Sequence, residues 1–333
     1  RSRYSINDIF EILDKMQDLK VLVVGDAIID DYHFCDVIGT SSKDPALAIK
    51  YKSNDLFAGG VLAVSNHVAN FVDTVDVLTV LGEKDSQEDF IRSQLRSNIT
   101  PHFLFQTGGP TTIKRRFVEG YSLNKLLEVY IIDDSGLSAH TNNEACNLLR
   151  ERLPAYDVVI AADFGHGAIS NEMIQVLAER SKFLAVNTQA NAGNRGFNPI
   201  SRYPRADYVS IAEHEIRLEK RSPDGPLRPM IQELMGAVGC KQFVVTRGRQ
   251  GAIVADSNGS YVDIPSFARN IVDRVGAGDA FFAITAMASA LNATNEILGF
   301  IGNIAGSLAV EVVGNKKAIS KMAAKKYIAS LMK

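Results

Sequence analysis

Short aliphatic runs alternate with amphipathic segments along almost the whole chain. Several of these runs are apolar at every position, which is typical of strands covered on both faces. The segments between them repeat apolar residues at helical spacing. The predicted strands span 20–25, 75–81, 156–162, 183–187, 208–211, 243–246 and 251–255, and the predicted helices between them span 60–72, 84–98, 141–153, 170–181 and 228–238. This alternation predicts a three-layer α/β/α fold with a mostly parallel central sheet.

Two regions depart from the alternation. Residues 31–57 and 110–132 contain β-like segments without helices between them, so we expect them to meet as one small extra sheet, a lid. The edges of such a sheet need cover, and a partner subunit or the main body can supply it. We therefore expect a homodimer that forms through the lid. The C-terminal part changes to three consecutive helices over 277–291, 295–312 and 317–331, and residues 1–333 are interpreted as a single domain.

Composition narrows the class of protein. The chain has 333 residues, 46% of them hydrophobic, and a net charge of −2 without a basic tract, which argues against a nucleic-acid partner. Its apolar runs are too short to span a membrane. The three cysteines, Cys35, Cys146 and Cys240, are far apart, which favours a reducing, cytoplasmic compartment. The first residue is Arg1 rather than Met, which we interpret as a piece of a longer or processed protein.

The candidate chemistry begins at Gly276-Ala277-Gly278-Asp279, just before a long apolar helix. Glycines let successive backbone N–H groups converge on one point, and the first amides of a helix favour an anion. A carboxylate beside that anion site suits a base that deprotonates an attacking hydroxyl during phosphoryl transfer. The same spacing also fits an acid that only complements the helix dipole. Surrounding residues have to decide between these two interpretations.

The stretch D273-R-V-G-A-G-D279 resembles the signature of the ribokinase-like (PfkB) sugar kinases. Further landmarks follow in the order of that family, from about residue 20 to 331. Asp30 lies where the family grips substrate hydroxyls, and Glu215 matches the acid of its metal motif. The other matching stretches are "VLVVGDAIIDDY" (21–32), "AGGVLAVSNHVA" (58–69), "VVTRGRQGA" (244–252) and "GNIAGSLAVEVVGN" (302–315).

The resemblance implies a ribokinase-like fold and an enzyme that transfers phosphate from ATP, with Mg²⁺, to a sugar hydroxyl. In this interpretation Asp279 is the base, and Gly276, Ala277 and Gly278 form the anion hole. Residues implied to bind the nucleotide are Thr246, Gly248, Gly251, Asn303 and Gly306. Residues implied to bind the acceptor are Asp30, Gly59, Gly60, Asn66, Lys114, Arg116, Asp163 and His166, and Glu215 is implied to act on the metal.

Within the family, the chain looks most like the kinase half of bifunctional heptose-phosphate kinase/nucleotidyltransferases. "GDAIIDDY", "PTTIKRRF" (110–117) and "ADFGHGAI" (162–169) carry this likeness. Such enzymes act on a sugar phosphate, and they carry a nucleotidyltransferase on the same polypeptide. The resemblance therefore implies a fused nucleotidyltransferase domain N-terminal to Arg1.

Departures from the family pattern leave alternatives open. Ala63 and Ala212 replace asparagines of the acceptor and metal motifs, and His166 replaces a lysine. Lys114–Arg116 either hold a phosphate or form a solvated lid strand, and Arg274 either reaches the phosphoryl group or faces solvent. Asp163 either contacts substrate or organises its loop.

Three other functions are consistent with parts of the sequence to different degrees. The altered motifs also fit a catalytically weak ligand-binding module that regulates a fused nucleotidyltransferase, and a nucleoside kinase of the same family differs only in the acceptor. A dinucleotide-dependent oxidoreductase is disfavoured, because "GDAIID" rather than G-x-G-x-x-G follows the first strand.

Overall fold

The computed structural model describes residues 4–133 and 135–333. Serine side chains cap several of its helices, and Ser5 forms a capping box with Asp8 at the first one. The α-helices of the described residues are α1 (Ile6–Lys15), α2 (Val61–Val68), α3 (Glu88–Gln94), α4 (Ala139–Arg152), α5 (Asn171–Arg180), α6 (Glu213–Glu219), α7 (Leu227–Val238), α8 (Ala277–Ala290), α9 (Asn295–Ala309) and α10 (Lys321–Leu331). The strands are β1 (Val21–Thr40), β2 (Leu47–Gly60), β3 (Val75–Gly82), β4 (Ile99–Gln106), β5 (Thr112–Glu119), β6 (Lys125–Ile131), β7 (Val158–Asp163), β8 (Leu184–Thr188), β9 (Tyr208–Ala212), β10 (Gln242–Thr246), β11 (Ala252–Asp256) and β12 (Tyr261–Ile264).

The central sheet has the order β12-β11-β10-β9-β8-β7-β1-β3-β4. Its strands from β10 to β4 are parallel, and only β11 and β12 run antiparallel to their neighbours. The carboxyl ends of the parallel strands share one edge of the sheet, where ligands collect in folds of this kind.

Apolar side chains cover both faces of this sheet. Val21 and Val23 of β1 point into one core, packed by α1, α2, α8, α9 and α10. Leu22 and Val24 point into the opposite core, packed by α4, α5 and α7. Because alternate residues of a strand face opposite sides, the continuous apolar runs are explained by two covered faces. The predicted three-layer α/β/α fold with a mostly parallel sheet is confirmed.

The lid is a four-stranded sheet with the order β2-β1-β5-β6. Both regions predicted to form it do so, but β1 is longer than expected. It runs without interruption from the central sheet into the lid, whereas the sequence suggested a first strand that ends near residue 25. The two sheets therefore share one strand, and the lid is fixed to the main body at the point where β1 leaves the central sheet.

The predicted strands and helices all appear, with shifts of a few residues at their ends. β4, β12 and α6 form where the sequence analysis predicted no element. β4 carries Pro101, His102 and Gln106 among its apolar residues, which hides its strand pattern. Within the described residues, none of the helices combines the length and apolar character that a membrane crossing requires.

Candidate active site

The glycine turn before α8 adopts the conformation that the sequence analysis required. Gly276 has φ +81°, and a Cβ atom there would lie 2.0 Å from Oδ1 of Asn315, so only glycine fits. Among the described residues, the backbone N–H groups of Gly278 and Asp279 donate to no acceptor, whereas the amide of Ala277, predicted as part of the anion hole, donates to the carbonyl of Arg274 at 3.4 Å. These unpaired amides at the positive end of a buried helix form a site suited to an anion.

Asp279 lies in the first turn of α8, and among the described residues its carboxyl group has no hydrogen-bond partner. Burial raises its pKa to about 7, and the charges of Asp30 and Glu215 add to the shift, whereas Lys114 opposes it. A carboxyl group with a pKa near neutrality can accept a proton at physiological pH. The structure therefore combines a proton acceptor and unpaired amides in one helical turn.

A cavity of about 660 Å³ opens on one side of this turn. It is lined by all the residues predicted to bind nucleotide, namely Thr246, Gly248, Gly251, Asn303 and Gly306, together with Ala277 and Gly278 of the predicted anion hole. At Gly251 a Cβ atom would lie 2.0 Å from the carbonyl oxygen of Ile264, so only glycine allows the chain here to lie this close to the end of β12. Arg249, Arg269 and Arg274 also line the cavity, so Arg274 lies on the side where an anionic ligand would enter.

Asp30 lies on the other side of the turn, where β1 passes into the lid. Its side chain is 4% exposed, accepts a hydrogen bond from Arg116, and contacts Nδ2 of Asn315 at 3.3 Å. Gly59 lets β2 approach closely, because a Cβ atom there would lie 2.2 Å from Oδ2 of Asp30. Gly60 has φ +59° and lies against the backbone of the first strand. Three of the predicted acceptor residues thus lie together.

Lys114 and His166 lie beside this group. Lys114 is 5% exposed, with Nζ 5.4 Å from the ring centroid of Tyr130 and 5.9 Å from that of Phe164. Burial lowers its pKa, although nearby carboxylates, Asp30 foremost, oppose that shift. Burial and the Lys114 charge lower the pKa of His166 to about 3, so its imidazole is neutral, and its buried Nε2 has no hydrogen-bond partner among the described residues.

Arg116, which is predicted to bind the acceptor, lies against Asp30 on the acceptor side of the site. Its guanidinium contacts both Asp30 and Glu128, with Nε 2.9 Å from Oε1 of Glu128. Arg115 points to the other face of the lid, where Nε donates to Asp31 at 2.7 Å. Of the three lid cations considered for a phosphate, Lys114 alone has no carboxylate partner among the described residues.

Asn66 does not reach the acceptor site. Its Nδ2 donates to the carbonyl of Gln94 at 3.1 Å, and its Oδ1 accepts from the amide of Arg96 at 3.1 Å. The side chain therefore links α2 to the segment after α3. The sequence could not show this, because its two partners lie about thirty residues away.

Asp163 organises its loop instead of facing an open site. It is 2% exposed and accepts hydrogen bonds from the amide of Gly165, from Asn198 at 3.0 Å and from the hydroxyl of Tyr203 at 2.9 Å. Of the two alternatives left open by the sequence, these contacts favour the second. Asp26 also holds this loop in place, since its carboxylate accepts hydrogen bonds from the amides of Phe164 and Ala168.

Glu215 is buried at the start of α6. One carboxylate oxygen accepts from the amide of Ala212 at 2.6 Å and the other from the amide of Ala190 at 2.9 Å. Burial raises its pKa, and these two amides oppose the shift. No cluster of three or more His, Cys, Asp or Glu side chains arranged for a metal occurs in the described part of the chain. Glu215 is thus suited to contact a hydrated cation through water.

Three residues of this region were not predicted as site residues. Asp273 contacts the lid and the turn before α8, Lys125 of β6 contacts Asp273, and Asn315 lies between Asp30 and Gly276. Asn315 falls in the family-like stretch 302–315, but only the earlier part of that stretch lines the nucleotide-side cavity. Asp273 is the first residue of the signature motif, so the sequence offered a signal for it. No nearby motif marks Lys125 as a site residue.

Comparisons with known proteins agree with this geometry. The family model described as "pfkB family carbohydrate kinase" matches residues 18–322. The bifunctional protein HldE of Shewanella amazonensis is 25% identical over 287 residues, which cover 86% of this chain and 58% of that protein. The chain thus spans about three fifths of the length of the curated relatives it matches.

Solved structures show a similar fold. A mutant of phosphofructokinase-2 from Escherichia coli superposes with a TM-score of 0.74 at 17% identity, covering 95% of this chain and 100% of that one. A ribokinase from Thermotoga maritima superposes with a TM-score of 0.71, also at 17% identity, over 93% of this chain and 99% of that one.

Proposed function

Because this chain belongs to the pfkB family of carbohydrate kinases, we propose that it transfers the γ-phosphoryl group of ATP to a hydroxyl of a sugar or sugar phosphate. The observation that carries the proposal is the unpaired carboxyl group of Asp279 with a pKa near 7, beside the unpaired amides of α8. A general base and an anion hole in one turn are what in-line phosphoryl transfer to a hydroxyl requires.

In the proposed mechanism the acceptor hydroxyl lies between Asp30 and Asp279. Asp279 takes its proton as the hydroxyl oxygen attacks the γ-phosphorus and the bond to the β,γ-bridging oxygen breaks. The amides of Gly278 and Asp279 stabilise charge on the phosphoryl oxygens. The nucleotide occupies the cavity of about 660 Å³, where arginines meet its phosphates.

Mg²⁺ suits this site only as a hydrated ion. It would neutralise charge on the nucleotide phosphates while it keeps several of its waters. Both oxygens of Glu215 already accept backbone N–H groups, so this carboxylate would orient metal-bound water rather than replace it.

The acceptor is proposed to be of the heptose-phosphate type, because "GDAIIDDY", "PTTIKRRF" and "ADFGHGAI" resemble the kinase half of heptose-phosphate kinase/nucleotidyltransferases. Lys114 supports a negatively charged group on the acceptor, because it is buried near Asp30 and forms no direct ion pair within the described residues. A fused nucleotidyltransferase stays a prediction, and the full reading frame of the gene would test it.

Asp279→Asn tests the proposal. We expect turnover to fall by about 10²–10⁴-fold, the usual contribution of a positioned base, while nucleotide affinity stays within about threefold. Phosphorylation should be measured over hexoses, heptoses and their phosphates, and nucleotide binding by calorimetry. Near-normal turnover in this variant would end the assignment of the base.

The alternative of a weakly catalytic binding module is favoured by Ala212, which replaces the asparagine of the metal motif. The wild-type chain separates the two hypotheses in the same panel. ATP consumption that depends on an acceptor supports the kinase, and binding of sugar phosphates without any ATP consumption supports the module.

A further inference from the structure

The carboxylate of Asp273 lies where three segments of the chain meet. The hydroxyl of Tyr32 in β1 donates to its Oδ2 at 2.8 Å, and Nζ of Lys125 in β6 lies 3.2 Å from its Oδ1. The amide of Gly314 donates to Oδ2 at 3.0 Å, and the amide of Val275 donates to Oδ1 at 3.2 Å. Two of these contacts come from the lid and one from the turn that leads into α8.

Burial makes these contacts necessary. Asp273 is 9% exposed and Tyr32 1%, so a carboxylate there depends on its partners. Burial alone would raise the pKa of Asp273, but the Tyr32 hydroxyl, the Lys125 ammonium and the two amides outweigh it and lower the pKa. The ammonium of Lys125 is the one full positive charge that an ion pair places on this carboxylate within the described residues.

The same lid strands also hold the acceptor side of the site. Arg116 of β5 contacts Asp30 and is itself held by Glu128, which lies on β6 together with Lys125. The Arg116 guanidinium lies 5.5 Å from the ring centroid of Tyr32. A shift of β6 would therefore act on Asp30 and on Asp273 together.

On the other side of Asp273 the chain reaches the anion hole directly. Val275, whose amide is fixed by Asp273, precedes Gly276, and Gly276 begins the turn whose amides face the phosphoryl group. Gly314 is fixed by the same carboxylate and precedes Asn315, which lies against Gly276 and Asp30. Small displacements of such a turn have large effects on reaction rates.

We propose that Lys125 and Tyr32 are positioning residues that act through Asp273, so that the lid on the acceptor side fixes the anion-binding turn at 276–279. This inference rests on the proposed phosphoryl transfer and adds a link between the two halves of the site. Neither residue touches the reacting atoms. Their effect is on the alignment of the amides and on the affinity for the nucleotide phosphates.

The test compares Lys125→Met and Lys125→Arg with Lys52→Met. Lys52 is a matched control, because it lies on β2 of the same lid and pairs with a different carboxylate, Asp36, at 2.6 Å. Tyr32→Phe removes one hydroxyl and keeps the buried ring. It serves as a second variant if loss of the Lys125 charge prevents folding.

Hydrogen–deuterium exchange of the amides at 273–280 is the first readout, with and without the non-hydrolysable ATP analogue AMP-PNP and Mg²⁺. We expect Lys125→Met to exchange about tenfold faster there and to bind AMP-PNP about threefold to tenfold more weakly, as for a lost hydrogen bond to a charged group. Tyr32→Phe should change both in the same direction, and Lys125→Arg and Lys52→Met should stay within about twofold of wild type.

The second readout is turnover with whichever acceptor of the sugar panel the wild type phosphorylates. Lys125→Met should lower kcat by about 10–100-fold while KM for the acceptor changes less than about threefold. If Lys125→Met and Tyr32→Phe match Lys52→Met in exchange and AMP-PNP affinity, the positioning role is wrong. If the wild type phosphorylates no acceptor, the proposed function fails, and the exchange data still decide whether Lys125 and Tyr32 hold the turn.

Discussion

The carboxyl group of Asp279 is surrounded by charges that act on it in opposite directions. Burial raises its pKa most, Asp30 raises it further and Lys114 lowers it, so that the pKa is about 7. A base must be ionised to accept a proton, and this carboxyl group loses its proton as the pH rises through about 7. In the proposed mechanism the activity of the free enzyme therefore depends on the titration of Asp279.

We expect log kcat/KM to rise by about one unit per pH unit below pH 7 and to level off above it, because only ionised Asp279 is competent. The profile should be measured from pH 5 to 9 with stability checked at each pH. In Lys114→Met the rising limb should move to higher pH, since the charge that lowers the pKa is gone. A flat profile across this range would contradict the role of Asp279.

The same carboxyl group should make the folded state less stable as the pH rises, whereas activity rises with pH. Its pKa is raised above the unfolded value of 3.8, so the folded state binds more protons between pH 3.8 and about 7 and loses stability as the pH rises through that range. Asp279→Asn should therefore raise the thermal midpoint at pH 8 by a few degrees, roughly 2–5 °C, and by less at pH 5. Calorimetry at both pH values checks this, and an equal change at both would contradict the linkage.

Replacement of Lys114 tests the proposal that the acceptor carries a phosphate. A buried ammonium that meets a phosphate contributes about 1.5–3 kcal/mol, so Lys114→Met should raise KM for a phosphorylated acceptor by about 10–100-fold. KM for ATP should change little, and Lys52→Met, on the same lid, is the control. An unchanged KM for sugar phosphates in Lys114→Met would point to a neutral sugar instead.

Residues whose role depends on the local chain could be predicted from the sequence, and those whose role depends on distant partners could not. Gly276 and Gly251 both have positive φ angles, which favour glycine. The glycine-rich motifs around them in the sequence already indicate such turns. Arg116 and Asn66 were assigned to the acceptor from the motif alone. The contacts of Arg116 with Glu128 and of Asn66 with the backbone at 94–96 follow from strand and helix packing that no short motif encodes.

At the scale of elements, α8 depends on the way its first turn is entered. Gly276 has φ +81°, and Asn315 fills the space that a side chain would need. Gly276→Ala should strain the turn and displace Asn315 from Asp30. We expect kcat/KM to fall about 100-fold and the free energy of unfolding to fall by about 1–2 kcal/mol.

The control for Gly276→Ala is Gly236→Ala in α7, where an added Cβ atom meets nothing within 4 Å. This change should leave turnover intact and leave stability equal or slightly higher, because alanine favours a helix interior. Denaturant titrations and steady-state kinetics on both variants check the pair. Equal effects of the two substitutions would show that the turn has no special requirement.

The strand β1 shows what an element pattern can and cannot predict. Its first half reads as a buried strand, and residues 31–57 read as β-structure, so both parts were predicted. Their union into one strand of 20 residues was not, because Asp26, Asp30 and Asp31 interrupt the apolar run. Those acids are tolerated because backbone amides donate to Asp26, Arg116 contacts Asp30, and Arg115 donates to Oδ2 of Asp31 in the folded chain.

At the scale of the whole molecule, the outer face of the lid remains open to solvent. Strand register places Leu56, Asp31, Arg115 and Val129 in one row across the sheet, and a second row contains His33 and Leu127. Residues directly opposite each other on paired strands point to the same side. Leu127 is 58% exposed and Val129 38%, so this face presents apolar side chains around the half-buried ion pair of Asp31 and Arg115.

An exposed sheet face of this composition is suited to a second copy of itself, which is the homodimer predicted from the sequence. Leu127→Glu should shift the chain to monomer at micromolar concentration, because a two-fold interface would bring two added charges close together. Sedimentation velocity over a concentration series checks this, and Met322→Glu, at a 64% exposed site on α10, is the control. If the wild type is already a monomer, or Leu127→Glu and Met322→Glu sediment alike as dimers, the lid is not the interface.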